Sequence, residues 1–205
     1  MKALRLVLAS CLLSGLAFAE EEPKNVLSLE TSWRDEAGAT TTLGAWKGRW
    51  YALTFVYTSC AGTCPLTTRK LKRLEAAMVK ADRAVDLVVV SLDPAHDKPE
   101  AIKQYRARYQ LEEARRWHVL VGDDAQVRTL TMLLNFKYTT NPESGVILHD
   151  NTVFLIAADG SVKTSMSSLD QPLEDFLRVI PKRPVKYGGE SAGAGAERAL
   201  RRSAD

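Results

Sequence analysis

The sequence predicts one α/β domain, a central mixed sheet with helices on both faces, preceded by an N-terminal β-hairpin. Apolar runs of strand length alternate with segments of helical periodicity along the chain. Residues 50–57 form a largely continuous apolar and aromatic run, as expected of a strand that is covered on both faces, and residues 84–92 predict a second buried strand. Near the end, Asp159 and Gly160 form a turn pair between two strand-like runs, which predicts a hairpin.

The N-terminal elements follow from short-range patterns. Alternating runs over residues 26–43 flank a turn at residues 35–38, which predicts the first hairpin. The buried strand at residues 50–57 comes next. It is followed by a helix at residues 65–80, in which four apolar residues recur near helical spacing: Leu66, Leu71, Leu74 and Met78.

The rest of the chain continues the alternation of strands and helices. It predicts strands at residues 84–92 and 117–121, helices at residues 99–110, 123–136 and 169–180, and a hairpin made of residues 146–157 and 161–166. We expect Asp97 to open the helix at residues 99–110, and Asp170 lies near the start of the last helix.

The chain divides into four predicted segments: a signal peptide at residues 1–19, a mobile leader at 20–25, a folded domain at 26–182 and a disordered tail at 183–205. Lys2 and Arg5 precede a short apolar stretch, and small residues before Glu20 suit a signal peptidase. The tail is rich in Gly, Ala, Ser and Arg and has little to bury. We therefore expect export to the periplasm.

Two other interpretations of the N-terminus stay open. The apolar stretch could be retained as an inner-membrane anchor, although it is short for a span. Cys11 could instead carry a lipid, because the residues before it resemble a bacterial lipobox. Without Lys2 and Arg5 the formal net charge falls from +3 to +1, so charge alone indicates no nucleic-acid binding. A cleaved chain would have no transmembrane segment.

Cys60 and Cys64 are the two cysteines that remain after cleavage, and they lie between a predicted strand and a helix. Pro65 suits the first helical position, which would make Cys64 the N-cap, and a helix N-terminus favours a thiolate. The pair could cycle as a redox disulfide or bind a soft cation such as Cu(I). In an oxidising compartment it could form a disulfide, although so short a loop gains little stability from one. A structural zinc site would need further ligands.

Three histidines could complete a metal site. His96 lies in a polar loop and His118 begins a strand, so both fit solvated or structural roles. His149 precedes the last hairpin, in a loop that would face the cysteine-bearing helix of a thioredoxin-like sheet. Thioredoxin-type oxidoreductases have a cis-proline in that loop, but no proline occurs here between Pro142 and Pro172. An imidazole at this position favours ligation over the docking of a substrate disulfide.

Four segments in order resemble the SCO/SenC copper proteins of cytochrome oxidase assembly. They are FVYTSCAGTCPLT, VVVSLDPAHDKPEAIKQY, WHVLVGDDAQVRTL and LHDNTVFLIAADG. The resemblance extends over residues 43–180. It implies a thioredoxin-like fold and one copper ion, Cu(I) or Cu(II), held by Cys60, Cys64 and His149. Asp93 matches an acidic residue near the family's site and could orient a ligand there, or it could simply form the turn before Pro94.

The resemblance implies a metallochaperone that delivers copper to cytochrome c oxidase subunit II or to another periplasmic copper protein. The alternative is a thiol–disulfide oxidoreductase that reduces the cysteines of the apo copper site. A peroxidase would need a third catalytic group beside Cys60, and a copper or redox sensor would use the same ligands. Leu148 stands where the family often has Asp, and residues 137–148 form a shorter segment than in many members. These differences leave the client open.

Overall fold

The computed structural model describes residues 24–60, 64–83, 85–111, 116–167 and 171–182, with only the backbone of Cys64 and Pro65. The signal peptide, most of the leader, the tail and Asp170 lie outside the described residues, as does the loop between the two cysteines. The predictions made for those segments therefore stay predictions.

A mixed five-stranded sheet forms the centre of the domain. The strands are β1 (Ser32–Arg34), β2 (Thr40–Thr42), β3 (Tyr51–Val56), β4 (Asp86–Ser91), β5 (Trp117–Leu120), β6 (Tyr138–Thr140), β7 (Ile147–His149), β8 (Val153–Ile156) and β9 (Val162–Met166). The central sheet has the order β5-β4-β3-β8-β9. Strands β3, β4 and β5 are parallel, and β8 is antiparallel to both of its neighbours. Every residue of β3 and β4 is buried, as expected of the two buried strands that the sequence predicts.

The helices are α1 (Cys64–Lys80), α2 (Pro99–Arg108), α3 (Asp124–Leu134) and α4 (Leu173–Val179). Helices α1 and α2 connect parallel neighbours, and a 2.9 Å hydrogen bond between the Thr68 and Tyr105 hydroxyls joins them. Helix α4 contacts α1 and β9. Phe136, directly after α3, packs its ring on Phe55 of β3. The predicted α/β fold with a mixed sheet and helices on both faces is confirmed.

Two small antiparallel pairs lie beside the main sheet. Strands β1 and β2 form the predicted N-terminal hairpin, and Arg34 bridges to Val121 after β5. The β6–β7 pair was not predicted, because residues 146–157 were expected to form one strand. That segment breaks after β7, where the Asp150 backbone N–H donates to the Lys137 carbonyl (2.9 Å) and its carboxylate accepts from the Lys137 backbone N–H (3.0 Å).

Two local expectations were wrong. Lys98 precedes α2 at the cap position, and Asp97 makes no capping bond there because its buried carboxylate binds Thr58 and Ser91. Leu66 was expected on the apolar face of α1, but it is 49% exposed at the first turn of that helix. Among the described residues, no helix combines the length and the hydropathy that crossing a membrane requires.

Candidate metal centre

The two cysteines flank the junction between β3 and α1. After Val56 the chain turns, and the backbone N–H of Cys60 donates to the Tyr57 carbonyl at 3.2 Å. Cys60 is buried, with 7% of its surface exposed. Helix α1 begins at Cys64, so this residue lies at the positive end of the helix dipole. Such a position stabilises a thiolate relative to a thiol.

His149 ends β7, and its backbone neighbour determines its tautomer. Nδ1 lies 2.6 Å from the Asp150 carbonyl oxygen. Because a carbonyl oxygen can only accept, Nδ1 carries the hydrogen and donates it. In the neutral ring the lone pair is therefore on Nε2, the nitrogen that can ligate a metal.

Two aromatic rings hold the imidazole of His149 in a half-buried position. Phe136 stacks on it with ring centroids 6.0 Å apart and planes inclined by 26°. Tyr57 meets it edge-on, also with 6.0 Å between centroids. Burial lowers the pKa of His149 below its ordinary value of 6.5, more than the nearby Asp150 raises it. The neutral ring, which a metal requires, is thus the favoured form at neutral pH.

The loop after His149 packs against both elements that flank the cysteines. The Thr67 hydroxyl in the first turn of α1 donates to the Asn151 side-chain oxygen at 3.2 Å. The Thr54 hydroxyl of β3 donates to the Thr152 carbonyl at 2.8 Å. Tyr57, whose ring contacts His149, also accepts the hydrogen bond from Cys60. Contacts with β3, with the first turn of α1 and with Tyr57 therefore hold this loop beside the N-terminus of α1.

The contacts recorded for the other candidates are with residues other than His149. The ring of His96 is mostly exposed, and its Nδ1 lies 2.7 Å from the Asp93 carboxylate. Asp93 therefore contacts a loop histidine, and its proposed role beside the metal stays a prediction. His118 lies near the amino-terminal ends of the parallel strands, 3.6 Å from Glu36. Among the described side chains, which exclude that of Cys64, no three His, Cys, Asp or Glu residues cluster as metal ligands.

Sequence reasoning missed a buried network next to the Cys60 turn. The Asp97 carboxylate accepts hydrogen bonds from the backbone N–H and the hydroxyl of Thr58 and from the Ser91 hydroxyl. The segment SLDPAHDKP contains both Ser91 and Asp97, but the proximity of Asp97 to a helix suggested only a capping role. Its partner Thr58 is 39 residues away in sequence. Such pairing follows from the parallel arrangement of β3 and β4, not from local pattern.

Comparison with known proteins places the chain among related sequences. A family model described as SCO1/SenC matches residues 21–182. A copper-binding-protein candidate from Stutzerimonas stutzeri is 28% identical over 152 residues, which cover 72% of this chain and 71% of the relative.

Solved structures support the fold. A SCO1/SenC family lipoprotein from Bacillus anthracis has 26% identity and a TM-score of 0.68, with coverage of 77% of this chain and 95% of that protein. The copper-bound structure of ScoI from Bradyrhizobium japonicum has 22% identity and a TM-score of 0.61, covering 74% and 97% of the two chains. At that identity the second likeness shows the fold alone.

Proposed function

The chain belongs to the SCO1/SenC family, and from this premise we propose that it is an exported copper metallochaperone. In this proposal Cys60 and Cys64 bind one copper ion as thiolates, and Nε2 of His149 completes the site. Thiolates select soft ions such as Cu(I), and imidazole also suits copper. The Stutzerimonas stutzeri relative, named for copper binding, supports the same class of metal.

The main support for the proposal is the packing of residues 149–152 against the N-terminus of α1. The bond from Thr67 to Asn151 holds this loop beside the first turn of the helix that Cys64 begins. Contact with Tyr57 holds the imidazole of His149 beside the turn that ends at Cys60. These contacts support convergence of a ring nitrogen and two sulfurs on a single ion.

The chemistry of the site favours capture and release over permanent binding. Three protein ligands leave an open side, where a ligand of the client can bind before a chaperone ligand departs. The helix N-terminus favours the thiolate of Cys64, and burial keeps the imidazole of His149 neutral. Stepwise exchange of this kind moves the ion without exposing it to water as a free cation.

We further propose that the client is the copper centre of cytochrome c oxidase subunit II, with another periplasmic copper protein as the alternative. Export would follow from the predicted signal at residues 1–19. Attachment through a lipid at Cys11 remains the alternative, and the Bacillus anthracis relative described as a lipoprotein favours it. Either route would place the site in the compartment where such copper centres are assembled.

Copper titration of the mature protein tests the proposed ligands. We expect near-stoichiometric binding that Cys60→Ser and Cys64→Ser abolish and His149→Ala weakens. His96→Ala is the matched control, since this exposed imidazole pairs with Asp93 and should leave binding unchanged. Equal copper retention by His149→Ala would remove that residue from the site. Mixing the loaded protein with the apo copper domain of subunit II should then move copper to the client.

Thiol–disulfide exchange is the competing function, and the same variants separate the two. A reductase would reduce the client's disulfide with copper excluded, through a Cys60–Cys64 couple that cycles. The loop at residues 149–152 has His149 and no proline at the place where thioredoxin-type oxidoreductases dock a substrate disulfide. This observation favours the chaperone. Copper-free turnover that survives in His149→Ala would favour the reductase.

A further inference from the structure

We propose that Asp97 is a positioning residue, which holds the Cys60 turn in the geometry that copper capture requires. The inference rests on the proposed function and deepens it. In this proposal the turn is ordered by a buried carboxylate that lies outside the cysteine motif and acts through its hydrogen bonds to Thr58 and Ser91.

The contacts of Asp97 concentrate on one residue of that turn. The carboxylate is in a residue only 2% exposed, and it accepts from the Thr58 backbone N–H at 3.1 Å and from the Thr58 hydroxyl at 2.5 Å. Its second oxygen accepts from the Ser91 hydroxyl at 2.6 Å. Thr58 is two residues before Cys60, and Ser91 ends β4. Asp97 therefore ties the turn to the neighbouring strand.

Further hydrogen bonds hold Asp97 itself in place. Its backbone N–H donates to the Asp93 carbonyl at 2.8 Å, and the Asp93 backbone N–H donates to the Ser91 hydroxyl at 3.0 Å. Ser91 also pairs in register with Val56, the last residue of β3. The loop after β4 and the turn after β3 thus form one hydrogen-bonded unit centred on a single carboxylate.

Loss of the carboxylate would free the turn while the rest of the sheet keeps its pairing. An amide in place of the carboxylate has one acceptor atom instead of two, so at least one of the buried donors from Thr58 and Ser91 loses its partner. Because Cys60 follows directly, its sulfur would sample more positions, and copper binding would have to restrict them. Removal of groups that orient metal ligands typically costs about 10–100-fold in metal affinity.

Asp86 provides the matched control for a purely structural role. It is also a buried carboxylate, 3% exposed, but it begins β4 and pairs with Arg49. Asp86→Asn should destabilise the fold and leave the copper site unchanged. Thr58→Val provides a milder second variant, which removes one hydroxyl donor and keeps the backbone bond to Asp97.

The experiment compares Asp97→Asn, Thr58→Val and Asp86→Asn with the wild type in two states. In the copper-loaded state, competition with a chelator measures affinity, and the sulfur-to-copper charge-transfer band of the Cu(II) form reports geometry. In the reduced apo state, mass spectrometry measures the alkylation rate of Cys60. We expect Asp97→Asn to lose about 10–100-fold in affinity, to shift the band and to speed alkylation of Cys60. Thr58→Val should show smaller changes in the same direction.

The outcomes separate this inference from the proposed function. If the wild type binds no copper, the proposed function fails, and the alkylation rates alone decide the inference. Unchanged alkylation of Cys60 in Asp97→Asn overturns it in either case. Equal losses of affinity in Asp97→Asn and Asp86→Asn, with no change in the charge-transfer band, would reduce Asp97 to a stabilising residue and also overturn the inference.

Discussion

Replacing Phe136 with Leu should weaken both the fold and the position of His149, by amounts that the ring contacts determine. Phe136 is 5% exposed, and its ring centroid lies 4.4 Å from that of Phe55 and 6.4 Å from that of Phe154. Aromatic pairs contribute about 0.5–1.5 kcal/mol each beyond their buried area. Loss of the two pairs alone predicts a decrease of about 1–3 kcal/mol in the free energy of unfolding, and any cavity that the smaller Leu side chain leaves adds to it.

The same substitution removes the ring that stacks on His149. The imidazole then loses one aromatic contact worth about 0.5–1.5 kcal/mol. Copper binding must offset the cost of ordering the freed ring, so the affinity for copper should fall by about 2- to 13-fold. Phe154→Leu is the matched control, because Phe154 packs on Phe136 and makes no ring contact with His149 among the described residues.

Urea unfolding of the apo proteins and chelator competition of the loaded proteins measure the two effects separately. We expect both variants to lose stability and only Phe136→Leu to lose affinity by that factor. Unchanged stability of Phe136→Leu would refute the packing argument. Equal affinity losses in both variants would show that the stack on His149 has no specific effect on the site.

Two further predictions concern the fold and its pH dependence. Gly160→Ala should lower the free energy of unfolding by about 2–5 kcal/mol, because φ at Gly160 is +86° and a new Cβ would clash with Leu27. Gly48 has a φ of +85° and open space around the position of a Cβ, so Gly48→Ala should cost only the backbone strain of about 1–2 kcal/mol. Equal losses in thermal or urea unfolding would contradict the clash. Burial raises the pKa of the Asp97 carboxyl above its ordinary 3.8, so folding favours the protonated form. The stability of the wild type relative to Asp97→Asn, measured by urea unfolding, should therefore be greatest below about pH 3.8 and fall as the pH rises through the folded-state pKa. A stability difference that grows with pH would contradict this sign.

The sheet could be predicted from the sequence because its evidence is local. Apolar and aromatic residues dominate β3 and β4, interrupted only by Thr54, Asp86 and Ser91, and this composition is what a strand buried on both faces needs. The pair of Asp159 and Gly160 likewise predicts the β8–β9 hairpin from two adjacent residues, and Gly160 indeed has a positive φ. Such signals depend only on residues that are close together in sequence, so a single sequence is enough to recognise them.

The surroundings of the candidate site could not be predicted in the same way, because they depend on contacts between distant segments. Tyr57 and Phe136 enclose His149 only after the sheet has assembled. Asp97 appeared to be a helix cap from its neighbours, and its bonds to Thr58 become visible only when β3 and β4 lie side by side. The candidate ligands came from residue chemistry and resemblance, whereas the residues that hold them came from packing.

X-ray absorption at the copper edge of the loaded mature protein identifies the ligand atoms themselves, so it is the most direct test that Cys60, Cys64 and His149 hold the copper ion. We expect two sulfur ligands and one imidazole nitrogen, with the imidazole signal lost in His149→Ala and kept in His96→Ala. Copper held without sulfur, or an imidazole signal that persists in His149→Ala, would contradict this ligand set.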